Sequence, residues 1–572
     1  MSTAILKAQS VSVASIDLAR TLRTGLLLGG VGVYLAAVGI LAMFNDRWII
    51  VGLLTLGYGV LGLIYLVAGL ISARRGAGLP TALASGLLSG GIAGLVVAVL
   101  GLIIEPLRLQ SVFTQLNAKL VDGLAMGLTP LSGLLAMVGI GALCGAVGAI
   151  LRFTPLTVRR PLVIAALVTV VAGLFQELIQ IMLQDGPLTP VQDLIYQWEG
   201  LTAQGAAIVF VVTFVLALLG VQIGQRRQAR AAARTDARTD GGQSLVKMGL
   251  IGLVLVLLPL LGGNYIGQVL LLVGLYILMG MGLNLEVGLA GLLDLGFVGF
   301  FAVGAYVTAL LTANHPMALL HLNFWLAMPI AVLAAVIVGV LFGIPVLGVR
   351  GDYLAVATMG LGEIVRVLVV SDAAKPLLGG PLGITQVPKP EIFGYGLTTP
   401  IQLYYLTLVA SLIAGLIAWR LEGSRLGRAW MALRDDEDVA AALGIDRIEC
   451  KLLAYGLGAA FAGLAGSIFA VMLSSVYPSS FQLVVSINVL ALIIVGGMGS
   501  LPGVAIGSLV LIGLPELLRE FGEYRYLFYG LALIFMMQFR PEGLLPSKVR
   551  KRELHAAMGE TPEAASPTAR AV

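Results

Sequence analysis

Apolar runs of about 18 to 24 residues recur from end to end of the chain, separated by short polar stretches that hold most of the charge. Such a run is long enough to cross the hydrocarbon core of a bilayer as a helix. "GLLLGGVGVYLAAVGILAM" at 25–43 and "LAMPIAVLAAVIVGVLFGIPVLG" at 326–348 are examples. In lipid every backbone polar group must be satisfied within the protein, so a spanning segment is a helix or part of a closed barrel. The runs are unbroken rather than alternating, which selects helices. The pattern predicts an all-α, polytopic helical bundle of about sixteen spans. Six lie near 25–43, 49–72, 81–104, 129–151, 161–183 and 205–223, and ten more near 247–262, 266–285, 288–312, 324–348, 353–371, 401–419, 452–474, 485–498, 502–518 and 525–539.

Composition agrees with lipid as the solvent. Of 572 residues, 59% are hydrophobic and 11% charged, against about 25% charged in a soluble domain. The 74 glycines suit helices that must approach closely where no hydrophobic force pushes them together. The net charge of +5 sits on loops and points to no nucleic-acid partner. Cys144 and Cys450 stand far apart, so no disulfide framework is expected. The first apolar run, after Arg20 and Arg23, exceeds a signal-peptide core and reads as a retained anchor.

Charge sets the orientation. Arg20/Arg23, Arg74/Arg75, Arg152/Arg159/Arg160 and Arg226/Arg227/Arg230 fall at alternate loops, whereas Asp185, Asp193 and Glu199 occupy an opposite one. Short loops rich in Lys and Arg stay in the cytoplasm. The alternation places the Arg420–Lys451 block and both termini on the cytoplasmic side of the membrane. Trp48, Trp198, Trp325 and Trp419 mark span ends, where indoles favour the interface. The basic stretch "GQRRQARAAARTDARTDGGQS" at 224–244 reads as a cytoplasmic linker. It divides a six-span block, 1–223, from a ten-span block, 246–545, with 224–245 between them and a disordered tail at 546–572.

Five stretches of the second block carry a resemblance. They are "GLNLEVGLAGLLDLGFVGFFAVGAY" at 282–306, "RGDYLAVATMGLGEIVRVL" at 350–368 and "GGPLGI" at 379–384. The fourth is the charged "SRLGRAWMALRDDEDVAAALGIDRIECKLLAYGLG" from 424, and the fifth is "SINVLALIIVGGMGSLPGVAIGSLVL" at 486–511, followed by "FRPEGLL" at 539–545. In order and spacing they resemble the LivM-like permease subunits of branched-chain amino-acid ABC importers. Glu286 departs from that pattern, which is apolar there, and residues 1–245 have no counterpart in it. The resemblance implies a Type II-like importer permease. It would pair with a second, LivH-like permease, two cytoplasmic ATPases and a periplasmic or lipid-anchored substrate-binding protein, and move leucine, isoleucine, valine or related amino acids. Urea or short amides are an alternative cargo, and an ion-gradient-driven amino-acid carrier is an alternative mechanism.

On this reading the chain is no enzyme and holds no cofactor, ATP being used by a partner subunit. No Gly-Lys pair occurs in the sequence, so the P-loop pattern G-x-x-x-x-G-K-[ST] is missing. An importer permease needs a cytoplasmic knob that fits a groove of the ATPase. "RDDEDVAAALG" offers one: Asp435, Asp436, Glu437 and Asp438 near a helix start, where acids suit the dipole, small residues including Ala441 for close approach, and Gly444 to end the helix. Arg434 and its neighbours Arg425 and Arg428 would face acidic groups or lipid phosphates; the alternative is a solvated loop that only sets topology. For a translocation path the candidates are Asn284, Glu286, Asp294, Tyr306, Glu363 and Arg366, because ionisable residues in spans are costly and by default functional. Glu363 and Arg366, three apart on one helix, form either a structural bridge or a substrate contact. Asn284 and Asp294 either line the path or bind helices together. Gly496, Gly497 and Gly499 are expected to form a tight turn. His315, His321 and His555 make no metal or catalytic set.

Overall fold

A computed structural model describes residues 17–73, 78–113, 115–116, 118–177, 179–180, 192, 194–197, 200–232, 240–314, 320–349, 352–519, 524–540 and 542–546. Arg74, Arg75, Asp185, Asp193, Trp198, Glu199, His315, linker positions 233–239 and the tail from 547 lie outside the described residues. The chain separates into two compact units, 1–240 and 241–572.

The first unit holds α1 (Leu18–Ala37), α2 (Ile40–Asn45), α3 (Leu56–Ser72), α4 (Leu79–Ile103), α5 (Ala118–Leu124), α6 (Pro130–Phe153), α7 (Leu156–Leu174) and α8 (Ala203–Ala232). The expected first span is interrupted at Gly39, whose positive φ of 88° turns the chain between α1 and α2. Small strands, absent from the all-α expectation, close one end. They are β1 (Trp48–Ile50), β2 (Leu54–Thr55), β3 (Tyr196–Gln197) and β4 (Gly200–Leu201), in the order β2-β1-β4-β3, with β1 parallel to β4 and the other pairs antiparallel.

The centre of this unit is α4, packed on α6, α1 and α3. Gly86, Gly90 and Gly94 repeat every four residues and face Gly141, Gly145 and the Met137 backbone of α6. A methyl group on Gly90 would collide with the Gly141 carbonyl. This is small-residue packing, in which backbones approach until dispersion holds them. Gly90→Val is therefore expected to destabilise the unit by about 1–3 kcal/mol, the usual cost of overpacking. A lowered melting temperature of the full chain in detergent micelles would register it; an unchanged one would mean that the interface yields.

The second unit runs through α9 (Asp240–Leu283), a π-helical turn (Asn284–Leu289), α10 (Val298–Thr312), α11 (Phe324–Val346), α12 (Asp352–Val370), α13 (Pro400–Glu422), α14 (Arg425–Asp435), α15 (Glu437–Ala442), α16 (Arg447–Leu473), α17 (Leu483–Gly496), α18 (Leu501–Ser508) and α19 (Tyr524–Phe539). Its core is α16 against α10 and α11. Two expected spans, 247–262 and 266–285, join as α9 across a kink at Gly263. Those expected at 288–312, 502–518 and 525–539 appear as short or interrupted helices of the second unit. Among the described residues ten helices have the length and composition to cross a membrane, and Leu56–Ser72, Val298–Thr312 and Leu501–Leu517 are shorter apolar helices. Three of the expected spans are altered by a turn at Gly39, a kink at Gly263 and the π turn after Leu283, which apolar composition alone does not register.

Caps fix the helix starts. Thr399 and Gln402 form a reciprocal capping box on α13, and Ser424, Asp436 and Asp446 cap α14, α15 and α16, each satisfying N–H groups that have no partner within the helix. At the other end of α16, Lys389 Nζ donates to the carbonyls of Val471 at 2.7 Å and Met472 at 2.8 Å, a cation placed where the dipole favours one. Burial pushes this ammonium below the usual lysine range.

Candidate functional site

The interrupted span organises one end of the second unit. After α9 the chain makes the π turn, with all six residues buried. It then runs without helix through residues 290–297 before α10 begins. Non-helical backbone at membrane depth survives only where protein satisfies it; here α14, α12 and α17 do so, and Asn284 ties the π turn to a fourth segment. Asn284 Oδ1 accepts from Gly499 N at 2.9 Å. Arg434 of α14 donates from Nη1 to the Gly288 carbonyl at 3.0 Å. Leu295 N donates to Thr358 Oγ1 of α12 at 3.0 Å. Val298 N donates to Ser486 Oγ of α17 at 2.9 Å. Gly497 and Gly499, with φ of 117° and 74°, turn the chain between α17 and α18 and present the N–H that Asn284 receives. Thus Asn284 is bound between elements.

Glu286 and Asp294 come together. Both are fully buried and their side chains face each other. One Asp294 oxygen accepts from Gly296 N at 2.6 Å; its other oxygen and both oxygens of Glu286 have no hydrogen-bond partner. Tyr306 sits elsewhere, in an aromatic cluster, its ring 5.7 Å from Phe481 and Phe481 in turn 5.4 Å from Phe301. Phe481 also lines a crevice with Leu295, Val298, Met359, Gly362 and Glu363. At the rim of that crevice Glu363 accepts from Arg366 Nε at 2.8 Å. This pair is exposed on α12, a helix with the length and composition of a span. An outward-facing ion pair there needs another surface to cover it.

The charged block forms α14 and α15, nearly as the acids and Gly444 indicated. Asp436 Oδ1 accepts from Asp438 N and Val439 N, both at 2.9 Å. Gly444, at φ 89°, follows the helix end. The structure separates the expected contact residues into two groups. Glu437 is turned inward and pairs with Lys451 of α16 at 2.7 Å, the side chains being 21% and 5% exposed. Arg434 is likewise turned inward onto Gly288, while its Nη2 lies 3.5 Å from the exposed Asp435. Ala441 is half-buried. Beside the exposed Asp435, Asp436 and Asp438, two apolar side chains also face outward: Val439 is 55% exposed and Leu443 78%, four apart and on one face. The sequence reading missed these two, and missed Thr358, Ser486, Lys451 and Tyr455. The i, i+4 spacing of Val439 with Leu443, and of Lys451 with Tyr455, was the available signal.

Residues 265–537 match the family described as the branched-chain amino acid transport system permease component. The chain is 42% identical over 311 residues to the high-affinity branched-chain amino acid transport system permease protein LivM of Escherichia coli (strain K12), covering 50% of this chain and 72% of that protein. It is 23% identical to a probable branched-chain amino acid transport permease protein LivM of Methanocaldococcus jannaschii, covering 50% of this chain and 94% of that protein. To the LivH permease protein of Salmonella typhimurium it is 25% identical, covering 47% of this chain and 91% of that protein. No solved structure matches. An interrupted span held by side chains, a capped pair of short helices locked to it, and the 42% identity with LivM over most of that protein's length together place the chain in the branched-chain amino acid transport permease family.

Proposed function

We propose that the chain is the permease subunit of an ABC importer that carries leucine, isoleucine, valine or related amino acids into the bacterial cytoplasm, with ATP hydrolysed on a separate subunit. The observation that carries this reading is the joint between the α14–α15 knob and the interrupted span. Arg434 grips the backbone of Gly288, and Glu437 grips Lys451 of the core helix α16. A push on the exposed Val439 and Leu443 therefore has two polar ties through which to reach the π turn. Two cytoplasmic ATPases are the proposed source of the push. A second, LivH-like permease is proposed to cover the Glu363–Arg366 face of α12, with the apolar crevice beside it as part of the path. A branched-chain amino acid delivered by a binding protein needs no tight site there, only passage for its apolar side chain and shielding of its charges.

Residues 246–545 are proposed to do the transport, residues 1–223 to form an accessory membrane module, and 224–245 to join them on the cytoplasmic side, with both termini on that side of the inner membrane. Proteoliposomes holding the chain, a LivH-like permease, the ATPases and the binding protein are expected to accumulate radiolabelled leucine only with ATP. Accumulation by the purified chain alone, driven by an ion gradient, would replace this reading with the secondary carrier. A strong preference for urea or a short amide would change the cargo.

A further inference from the structure

We infer that Glu286 and Asp294 form a proton-binding site, one proton held between the two carboxyl groups, at the joint between the interrupted span and the core helix α16. This goes beyond the transport reading and holds whatever the cargo is.

The geometry leaves three carboxyl oxygens without a donor: both of Glu286 and one of Asp294. A third group points to the same place. Tyr455 is 2% exposed, its hydroxyl has no hydrogen-bond partner, and it lines a crevice with Asp294 and Thr358. On α16 the position beside the Glu286 carboxyl is Gly458, where any Cβ would collide with it. The helix surface is thus shaped around an acid side chain.

The groups around the pair supply no counter-charge. From α12 comes Thr358, whose hydroxyl accepts from Leu295 N; Glu363 of that helix is turned outward to Arg366. From α16 come Tyr455 and, one turn earlier, Lys451, which is bound to Glu437. From α14 comes Arg434, seated on Gly288 and beside Asp435. The π turn brings Asn284, which receives Gly499 N, and α17 brings Ser486, which receives Val298 N. Phe300 and Phe342 close the crevice with apolar rings. Neither carboxyl is paired with a Lys, Arg or His among the described residues.

Two adjacent carboxylates in a low-dielectric interior cannot both remain ionised without a cation. A proton neutralises the pair without needing space, and the crevice beside Asp294 and Tyr455 is too narrow for a water molecule. One proton also supplies the donor that the pair lacks: the protonated carboxyl donates to its neighbour. Because Lys451 and Tyr455 lie four apart on one helix face, loss of that proton would set a second negative charge one turn behind the tie to α15.

Infrared difference spectra of the full chain in nanodiscs test this without any transport step, so the outcome is independent of whether the chain imports amino acids. At neutral pH the wild-type-minus-Glu286→Gln spectrum is expected to contain the carbonyl stretch of a protonated carboxylic acid, shifted on exchange into D2O. The wild-type-minus-Asp294→Asn spectrum is expected to contain it too, and serves alone if Glu286→Gln does not elute as a monodisperse peak. Carboxylate bands in place of the acid band would overturn the inference. So would an acid band that vanishes on adding sodium or potassium, which would make this a metal-cation site.

Discussion

Leu443→Asp is expected to cut ATP-driven uptake by the assembled transporter at least tenfold, while the chain still inserts and purifies normally. Leu443 is 78% exposed at the end of α15, and Val439, 55% exposed, lies one turn before it. Two large apolar side chains held in water beside a ring of acids are arranged to be buried by something else. Burying a leucine contributes about 1.5–3 kcal/mol, and 1.4 kcal/mol corresponds to tenfold in binding. A single anchor in a groove thus suffices for the predicted loss. Aspartate adds the cost of desolvating a charge, so its effect should exceed that of Leu443→Ala. Leu443→Met, which keeps volume and apolarity, should retain most of the uptake. Uptake and ATP hydrolysis measured on the same proteoliposomes check this; wild-type uptake in Leu443→Asp would remove α15 from the coupling surface.

The exposed leucine also illustrates what the sequence disclosed and what it hid. Spans such as α4, α6, α11 and α13 were legible within a few residues, because a bilayer demands long apolar helices and little else resembles them. The block around Asp436 was legible as a capped, charged helix. Its orientation was not. Acids in a loop suggest a charged contact surface, yet Glu437 is drawn inward by Lys451, and Val439 and Leu443 stand exposed among the remaining acids. A partner fourteen residues away, on another helix, cannot be inferred from local spacing. The interrupted span was legible as a glycine-rich stretch containing Asn284 and Asp294, but its hydrogen-bond partners, Gly499, Arg434, Thr358 and Ser486, come from four distant elements. Glu286 stood out in sequence as an acid among apolar residues; that it meets Asp294 depends on the π turn and the coil after it, which no periodicity announces. Tyr306, chosen with those residues, lies apart from the two acids, among aromatic rings that reach the crevice through Phe481.

The tie between Glu437 and Lys451 gives the second large effect. Lys451→Met should destabilise the second unit by about 3 kcal/mol, the lower end of the cost of removing one partner from a buried pair. The lower end applies because Glu437 keeps a fifth of its side chain in contact with solvent, through which water can take over part of the lost pairing. Glu437→Gln should cost a similar amount, since it leaves the ammonium of Lys451, 5% exposed, facing a neutral amide. The double variant Glu437→Gln/Lys451→Met should recover much of the loss, as a buried pair replaced on both sides leaves no stranded charge. Thermal melting of the four proteins in detergent closes the cycle. Recovery of stability alone, with uptake still depressed in the double variant, would identify this ion pair as a link through which α15 moves α16. Additive losses in the melting data would show instead that the two side chains stabilise the unit independently, and Arg434 on Gly288 would be left as the connection between the knob and the interrupted span.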